Sequence, residues 1–198
     1  MAITIYGDSI SGNCLKVKWT AQHLDIPFEW IEVDVVKGEA RSDAIRALNP
    51  AAQVPTVLFE DGRALAQSNA IILHIAAHSP LIPADSFRRA KMFEWLFWEQ
   101  YSHEPYIAVR RFQLLYLAKP ASDLDPRLLE RGEAALSRME AWLEASPYLV
   151  NGALTCADIS LLAYTRLSHE GGFDLAKFPA VKAWVARVDA DLGLEPAA

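Results

Sequence analysis

Between Gln53 and Ser68 the chain reads QVPTVLFEDGRALAQS, and this stretch restricts the fold more than any other. Its first half is a β-branched, apolar run (Val54, Thr56, Val57, Leu58, Phe59) entered through Pro55. An Asp61-Gly62 pair follows, then a second short run from Ala64 to Ala66. Two such runs joined across Asp-Gly predict a β-hairpin. Pro55 has no N–H and a fixed φ, so it belongs at the first residue of a strand or on an edge. It pushes Val54 into an extended conformation whose own amide is left to bond something else. Directly after the second run, Gln67 and Ser68 open an apolar helical pattern (Ala70, Ile71, Leu73, His74, Ile75). Ser68 and Asn69 are good N-cap residues, and a helix N-terminus with spare amides and hydroxyls suits a carboxylate.

The preceding residues supply partners for that hairpin. Ala2 to Tyr6 alternates as a first strand would, and Gly7-Asp8-Ser9 ends it. Ser11-Gly12-Asn13 opens a helix with Cys14, Leu15, Val17, Trp19, Ala21 and Leu24 at its apolar positions, stopped by Pro27. Phe28 to Val33 reads as a second strand, Val35 to Glu39 as a loop, and Asp43 to Leu48 as a short helix closed by Asn49-Pro50. The order to about His78 is β-α-β-α-β-β-α, a thioredoxin-like α/β topology.

From Ser79 the composition changes. Pro80 and Pro83 frame a linker, and no strand pattern follows it. Arg88 to Leu117 is a long, aromatic helical stretch with Pro105 as its kink. Asp125-Pro126 reads as an N-cap with proline at the first helical position, and Ala157 to His169 and Pro179 to Val188 supply two more helices. The expected organisation is therefore residues 1–79 as a small α/β domain and 86–198 as an all-helical one.

With 198 residues, 52% hydrophobic and 22% charged, the chain can bury a sizeable core. A net charge of -6 argues against a nucleic-acid surface and against an anionic-membrane anchor. Cys14 and Cys156 are the only cysteines, too few for a disulfide framework and in the wrong company for a metal site. No basic leader precedes an apolar core, and no run approaches the roughly 20 apolar residues that span a bilayer. A soluble, unprocessed, cytoplasmic protein is expected, with small molecules or another protein as partners.

The Val-Pro-Thr, strand, Asp-Gly, strand, Gln-Ser, helix arrangement resembles the glutathione-binding half of the cytosolic glutathione S-transferases. YGDSISGNC near the start, Asn49-Pro50, and Thr155-Cys156-Ala157-Asp158 in the second half are similar to that family as well. The resemblance covers nearly the whole chain, and S-G-N-C looks like the serine-type, bacterial pattern. It implies a detoxifying transferase that binds glutathione as co-substrate, without a metal, and favours its thiolate for attack on a hydrophobic electrophile. It also implies a homodimer about a two-fold axis.

Carried onto this chain, the resemblance gives Gln67 and Ser68 the γ-glutamyl end, Val54 the cysteinyl unit through its main chain, and Arg41 and Gln53 the glycyl end, with Lys37 as a substitute. A helix cap alone would also account for Gln67 and Ser68, and a solvated charge for Arg41. For the sulfur, Ser11 stands just before the first helix, where its hydroxyl can donate to a thiolate that the helix dipole favours. Ser9 lies farther upstream, and Tyr6 is nearer the position used by tyrosine-type members. Cys14, in the first helical turn, is the alternative nucleophile. A thiolate there would be stabilised, which would make the protein a glutathione-dependent disulfide oxidoreductase, yet burial is the commoner fate of such a cysteine. The aromatic helix offers Tyr101, Tyr106, Arg110 and Phe112 for a second-substrate pocket. Thr155 to Asp158 reads as a capping box with a folding role. A transferase-like binding module without turnover is the reading from outside enzymology.

Overall fold

The computed structural model describes residues 2–150 and 152–196. The chain divides into two compact units, Met1–Ile82 and Pro83–Ala198. The first holds strands β1 (Ile3–Gly7), β2 (Phe28–Glu32), β3 (Thr56–Phe59) and β4 (Ala64–Ala66), with helices α1 (Gly12–His23), α2 (Asp43–Leu48) and α3 (Ser68–Ile75). The sheet runs β2-β1-β3-β4. β1 and β2 are parallel, β1 and β3 antiparallel, and β3 and β4 form the expected hairpin. Gly62, at φ 82, makes the turn, and the Phe59 amide donates to the Arg63 carbonyl at 2.9 Å to close it.

Register decides which residues gather at one end of the sheet. Tyr6 pairs with Thr56, and Thr56 pairs with Ala66, in one row across the sheet, while Gly7 pairs with Glu32. The residues that follow β1, β2 and β4, and those that precede β3, all leave the sheet at that same end. Ile3, Ile5 and Val57 are buried in the strands, and Cys14, Val17, Ala21, Ile71, Ile72 and Ile75 are buried in the helices. Alternation along β1 and a helical period along α1 and α3 thus supply complementary apolar faces.

Two local readings need correction. The Val35 to Glu39 region is not wholly loop, because a 3₁₀ turn spans Glu39–Arg41. The N-cap of α3 is Gln67, not Ser68 or Asn69; Ser68 is already the first helical residue.

The second unit contains α4 (Ser86–Trp98), α5 (Glu104–Leu115), α6 (Pro126–Leu143), α7 (Cys156–Thr165) and α8 (Pro179–Asp191). The break in the long aromatic stretch is a π-helical segment, Glu99–His103, rather than a kink at Pro105. Pro105 sits in the first turn of α5, directly after that segment, a position that proline tolerates better than a helix interior. Asp125 caps α6 as expected, accepting the Arg127 amide at 3.0 Å. Helix α7 stops at Thr165, and a 3₁₀ turn over Ser168–Gly171 replaces the last turn expected to reach His169. Every residue of α7 is buried, and α8 adds Val181, Trp184, Val185 and Val188 to the core. No helix among the described residues is long and apolar enough to cross a membrane.

Candidate functional site

The sheet end brings together most of the residues singled out in the first unit. Ser11 is the N-cap residue of α1, with extended backbone at φ -81 and ψ 120, but its side chain makes no capping bond. Its hydroxyl is instead hydrogen-bonded to the Cys14 thiol. Ser9 is occupied differently: its amide donates to Glu32 Oε1 at 2.8 Å, and its hydroxyl also bonds that carboxylate. Burial works against ionising Glu32, but the Trp30 indole N–H, at 2.7 Å, and the two Ser9 groups hold its carboxyl below the usual carboxylate range. Tyr6 packs half-buried against Val33, Ala40 and Ile45 together with Val54.

Cys14 is fully buried. Burial pushes its thiol up to about 12, against the lowering effect of hydrogen bonds from the Asp8 backbone and the Ser11 hydroxyl. The nearby charges of Asp8 and Glu32 act in the same direction as burial. Burial, the commoner fate of a cysteine at this position, thus works against the stabilisation that the first helical turn would give a thiolate. Desolvation outweighs the helix dipole here, and Cys14 stays a protonated core residue at neutral pH.

Two helix N-termini meet at this end. The Ser68 hydroxyl, 6% exposed, donates to Asn13 Oδ1 at 3.0 Å, which ties the start of α3 to the start of α1. Gln67 adopts φ 70 and ψ 112, a region that a non-glycine residue enters at a cost of order 1–3 kcal/mol and that recurs at ligand clamps. Its side chain is exposed and makes no hydrogen bond among the described residues.

The loop before β3 is held from beneath. Asn49, buried at 6%, donates through Nδ2 to the Gln53 carbonyl at 2.8 Å and accepts the Ala51 amide at 3.1 Å. Thr56 Oγ1 donates to the same Gln53 carbonyl at 2.9 Å. The Val54-Pro55 bond is cis, and the Val54 amide and carbonyl have no hydrogen bond among the described residues. Of the two cations considered for a carboxylate, Lys37 is already paired with Asp34 at 2.9 Å. The Arg41 guanidinium is exposed and has no partner among the described residues. In the sequence Asn49 closes a short helix and Asn13 opens another; the bonds Asn49 makes are to near neighbours along the chain, whereas the Asn13 contact with Ser68 spans 55 residues.

In the second unit, Phe112, one of the four residues named for a second-substrate pocket, lines a groove. Glu104, Ala108, Val109, Phe112, Gln113, Leu117, Lys119 and Tyr164 enclose a space of about 380 Å³. Phe112 stacks on Tyr116 with ring centroids 4.8 Å apart. Arg110 is buried, and its Nε donates to the Gly171 carbonyl at 2.7 Å, so it fastens α5 to the turn after α7. Tyr106 receives a hydrogen bond from Arg131 at 3.1 Å. Tyr101 is 82% exposed on the π-helical segment. Ala108 and Val109, small and aliphatic, and Tyr164, on α7, line this groove with Phe112 although the sequence singles out none of them.

Comparison with known proteins shows the family. Residues 10–78 match the glutathione S-transferase N-terminal domain and residues 89–190 the C-terminal domain of the same family. The chain belongs to the glutathione S-transferase family. It is 30% identical to human glutathione S-transferase theta-1, across 98% of this chain and 85% of that protein. Among solved structures, a glutathione S-transferase from Pseudomonas fluorescens superposes with a TM-score of 0.92 at 43% identity, covering 95% of this chain and 94% of that one. A glutathione S-transferase from Xanthobacter autotrophicus gives 0.89 at 44% identity, covering 99% and 95%.

Proposed function

We propose that the protein is a glutathione transferase that binds glutathione at the sheet end of its first unit and favours the thiolate for attack on an apolar electrophile. The observation that carries this reading is the convergence, on one end of one sheet, of open donors suited to each part of a γ-glutamyl tripeptide. Gln67 and the first-turn amides of α3 suit the γ-glutamyl carboxylate. The unengaged main chain of Val54 suits the cysteinyl unit. Arg41, with Gln53 beside the loop, suits the glycyl carboxylate.

Ser11 is the proposed donor to the sulfur. Its hydroxyl is a rotor that can turn from the Cys14 thiol to a bound thiolate, at the positive end of α1. A free thiol has a pKa of about 8.5, and each unit of lowering needs about 1.36 kcal/mol of preference for the anion. One hydrogen bond to a charged acceptor contributes about 1.5–3 kcal/mol. Ser11→Ala should leave glutathione affinity nearly unchanged, raise the pH at which thiolate absorbance appears by one unit or more, and lower the conjugation rate at pH 7 in step. An unshifted titration with full rate in Ser11→Ala would remove this assignment. The disulfide oxidoreductase reading is not favoured, since Cys14 is buried and burial works against its thiolate.

Phe87, Phe97 and Tyr101 stand 72%, 74% and 82% exposed along α4 and the segment after it. Monomeric soluble proteins rarely leave large apolar patches uncovered, and this stripe supports a homodimer. Light scattering at micromolar concentration should give twice the 22.0 kDa chain mass, and the mass of one chain would reject the dimer.

A further inference from the structure

Ser11 is the N-cap residue of α1 and Cys14 its third helical residue, a spacing that brings the two side chains together over the first turn. An N-cap hydroxyl ordinarily accepts the amide of the second or third helical residue. Ser11 makes no such capping bond and meets the Cys14 thiol instead. The sulfur is held from its other sides as well. Cys14 is fully buried, and the Asp8 backbone hydrogen-bonds to its thiol. The end of β1 comes so close that a Cβ on Gly7 would stand 3.2 Å from the Cys14 Cβ. The Ser11 amide donates to the Asp8 carbonyl at 3.1 Å, so loop, thiol and hydroxyl are fastened to one another.

A thiol and a hydroxyl each carry one hydrogen and can each accept another, so in the free protein their bond can run in either direction. A thiolate at the sulfur position has no hydrogen to give, and the single Ser11 hydrogen must go to it. The Cys14 contact then survives in one direction, with S–H donating to Ser11 Oγ. Cys14 has that hydrogen to give, because burial and the carboxylates of Asp8 and Glu32 all act to keep its thiol protonated.

We infer that Cys14 is a positioning residue for Ser11: its S–H donates to Ser11 Oγ and so aims the one Ser11 hydrogen at the glutathione sulfur. Donors then run in series from the Asp8 backbone through Cys14 and Ser11 to the thiolate, and hydrogen bonds in such a chain strengthen one another. This role rests on the assignment of Ser11 to the sulfur, and no bond to Cys14 forms or breaks during turnover.

The test compares Cys14→Ala, which removes the donor, with Cys14→Ser, which keeps one. In the full-length protein, the thiolate absorbance of the glutathione complex is titrated against pH. Cys14→Ala should raise the midpoint by about half a unit, about threefold in the ionised fraction, with the KM for glutathione unchanged. Cys14→Ser should titrate close to wild type. A packing role reverses that order, because a buried hydroxyl in place of the sulfur costs more than a methyl group. A wild-type midpoint in Cys14→Ala, or a shift in Cys14→Ser as large as that in Cys14→Ala, overturns the proposal. Ser11→Ala separates it from the reading beneath it. A raised midpoint there with none in Cys14→Ala removes the Cys14 role and keeps Ser11, whereas wild-type midpoints in both remove the two together. If neither Cys14 variant folds, infrared spectra of the wild-type complex decide. The Cys14 S–H stretch should lie at the lowered frequency of a donating thiol, and a band at the frequency of an unbonded thiol overturns the proposal.

Discussion

Helices α3 and α7 both begin at polar residues placed before an apolar run, and they end in opposite conditions. At α7 the chain satisfies its own helix start. Asp158 accepts the Thr155 amide at 3.0 Å, the Thr155 hydroxyl at 2.9 Å, the Leu149 amide at 2.9 Å and the Trp184 indole N–H at 3.0 Å. It is fully buried, and burial raises its pKa against those four bonds. At α3 the N-cap residue is held at a positive φ with an exposed, unbonded side chain. The one hydroxyl there bonds another helix instead of its own first turn. A helix start closed by the protein serves folding, and one left open by the protein is available to a ligand.

The largest expected effect breaks the closed end. Asp158→Ala leaves four donors without their acceptor, and each buried unsatisfied group costs about 1–3 kcal/mol. Urea unfolding should show a loss on the order of 3 kcal/mol or more, and a loss below about 1 kcal/mol would mean that α7 is not closed in this sense. The open end should respond in affinity instead. Arg41→Ala should weaken glutathione binding by about 1.5–3 kcal/mol, the value of a hydrogen bond to a charged group, with an unchanged urea midpoint. Ser68→Ala should weaken binding and also lose about 1 kcal/mol of stability, because its tie to Asn13 goes with it. Calorimetry returning wild-type affinity for both variants would place the binding site elsewhere.

The smallest effect is the most discriminating. Gln67→Gly should gain roughly 1 kcal/mol of stability, because glycine accepts the positive φ, while glutathione affinity falls with the lost side chain. A gain in stability with affinity intact would make Gln67 a strained cap and nothing more.

The parts legible in the sequence were those set by neighbours along the chain. The Val54-Pro55 entry, the Asp61-Gly62 turn, the Asp125-Pro126 start and the Thr155 to Asp158 box each depend on residues within three or four positions. The remainder depends on partners far apart. The Ser68 to Asn13 bond spans 55 residues, and Arg110 meets Gly171 across 61. In sequence Arg110 looks like any cation beside aromatic residues, and only the docking of α5 on the turn after α7 buries it. Burial of Cys14 was legible as the commoner fate of such a cysteine, and what the fold adds is the packing around it that desolvates the thiol.

The π-helical segment Glu99–His103 gives chain length an unusual leverage. An α-helix turns about 100° per residue, and a π turn is where such a helix accommodates one residue too many. Deleting a single codon there would let α4 run directly into α5 and rotate Val109, Phe112 and Leu115 by about that angle relative to Phe87 and Phe97. The two exposed apolar faces are therefore not bound to drift together over generations. A one-residue change in length at this point can re-aim one face and leave the other as it was.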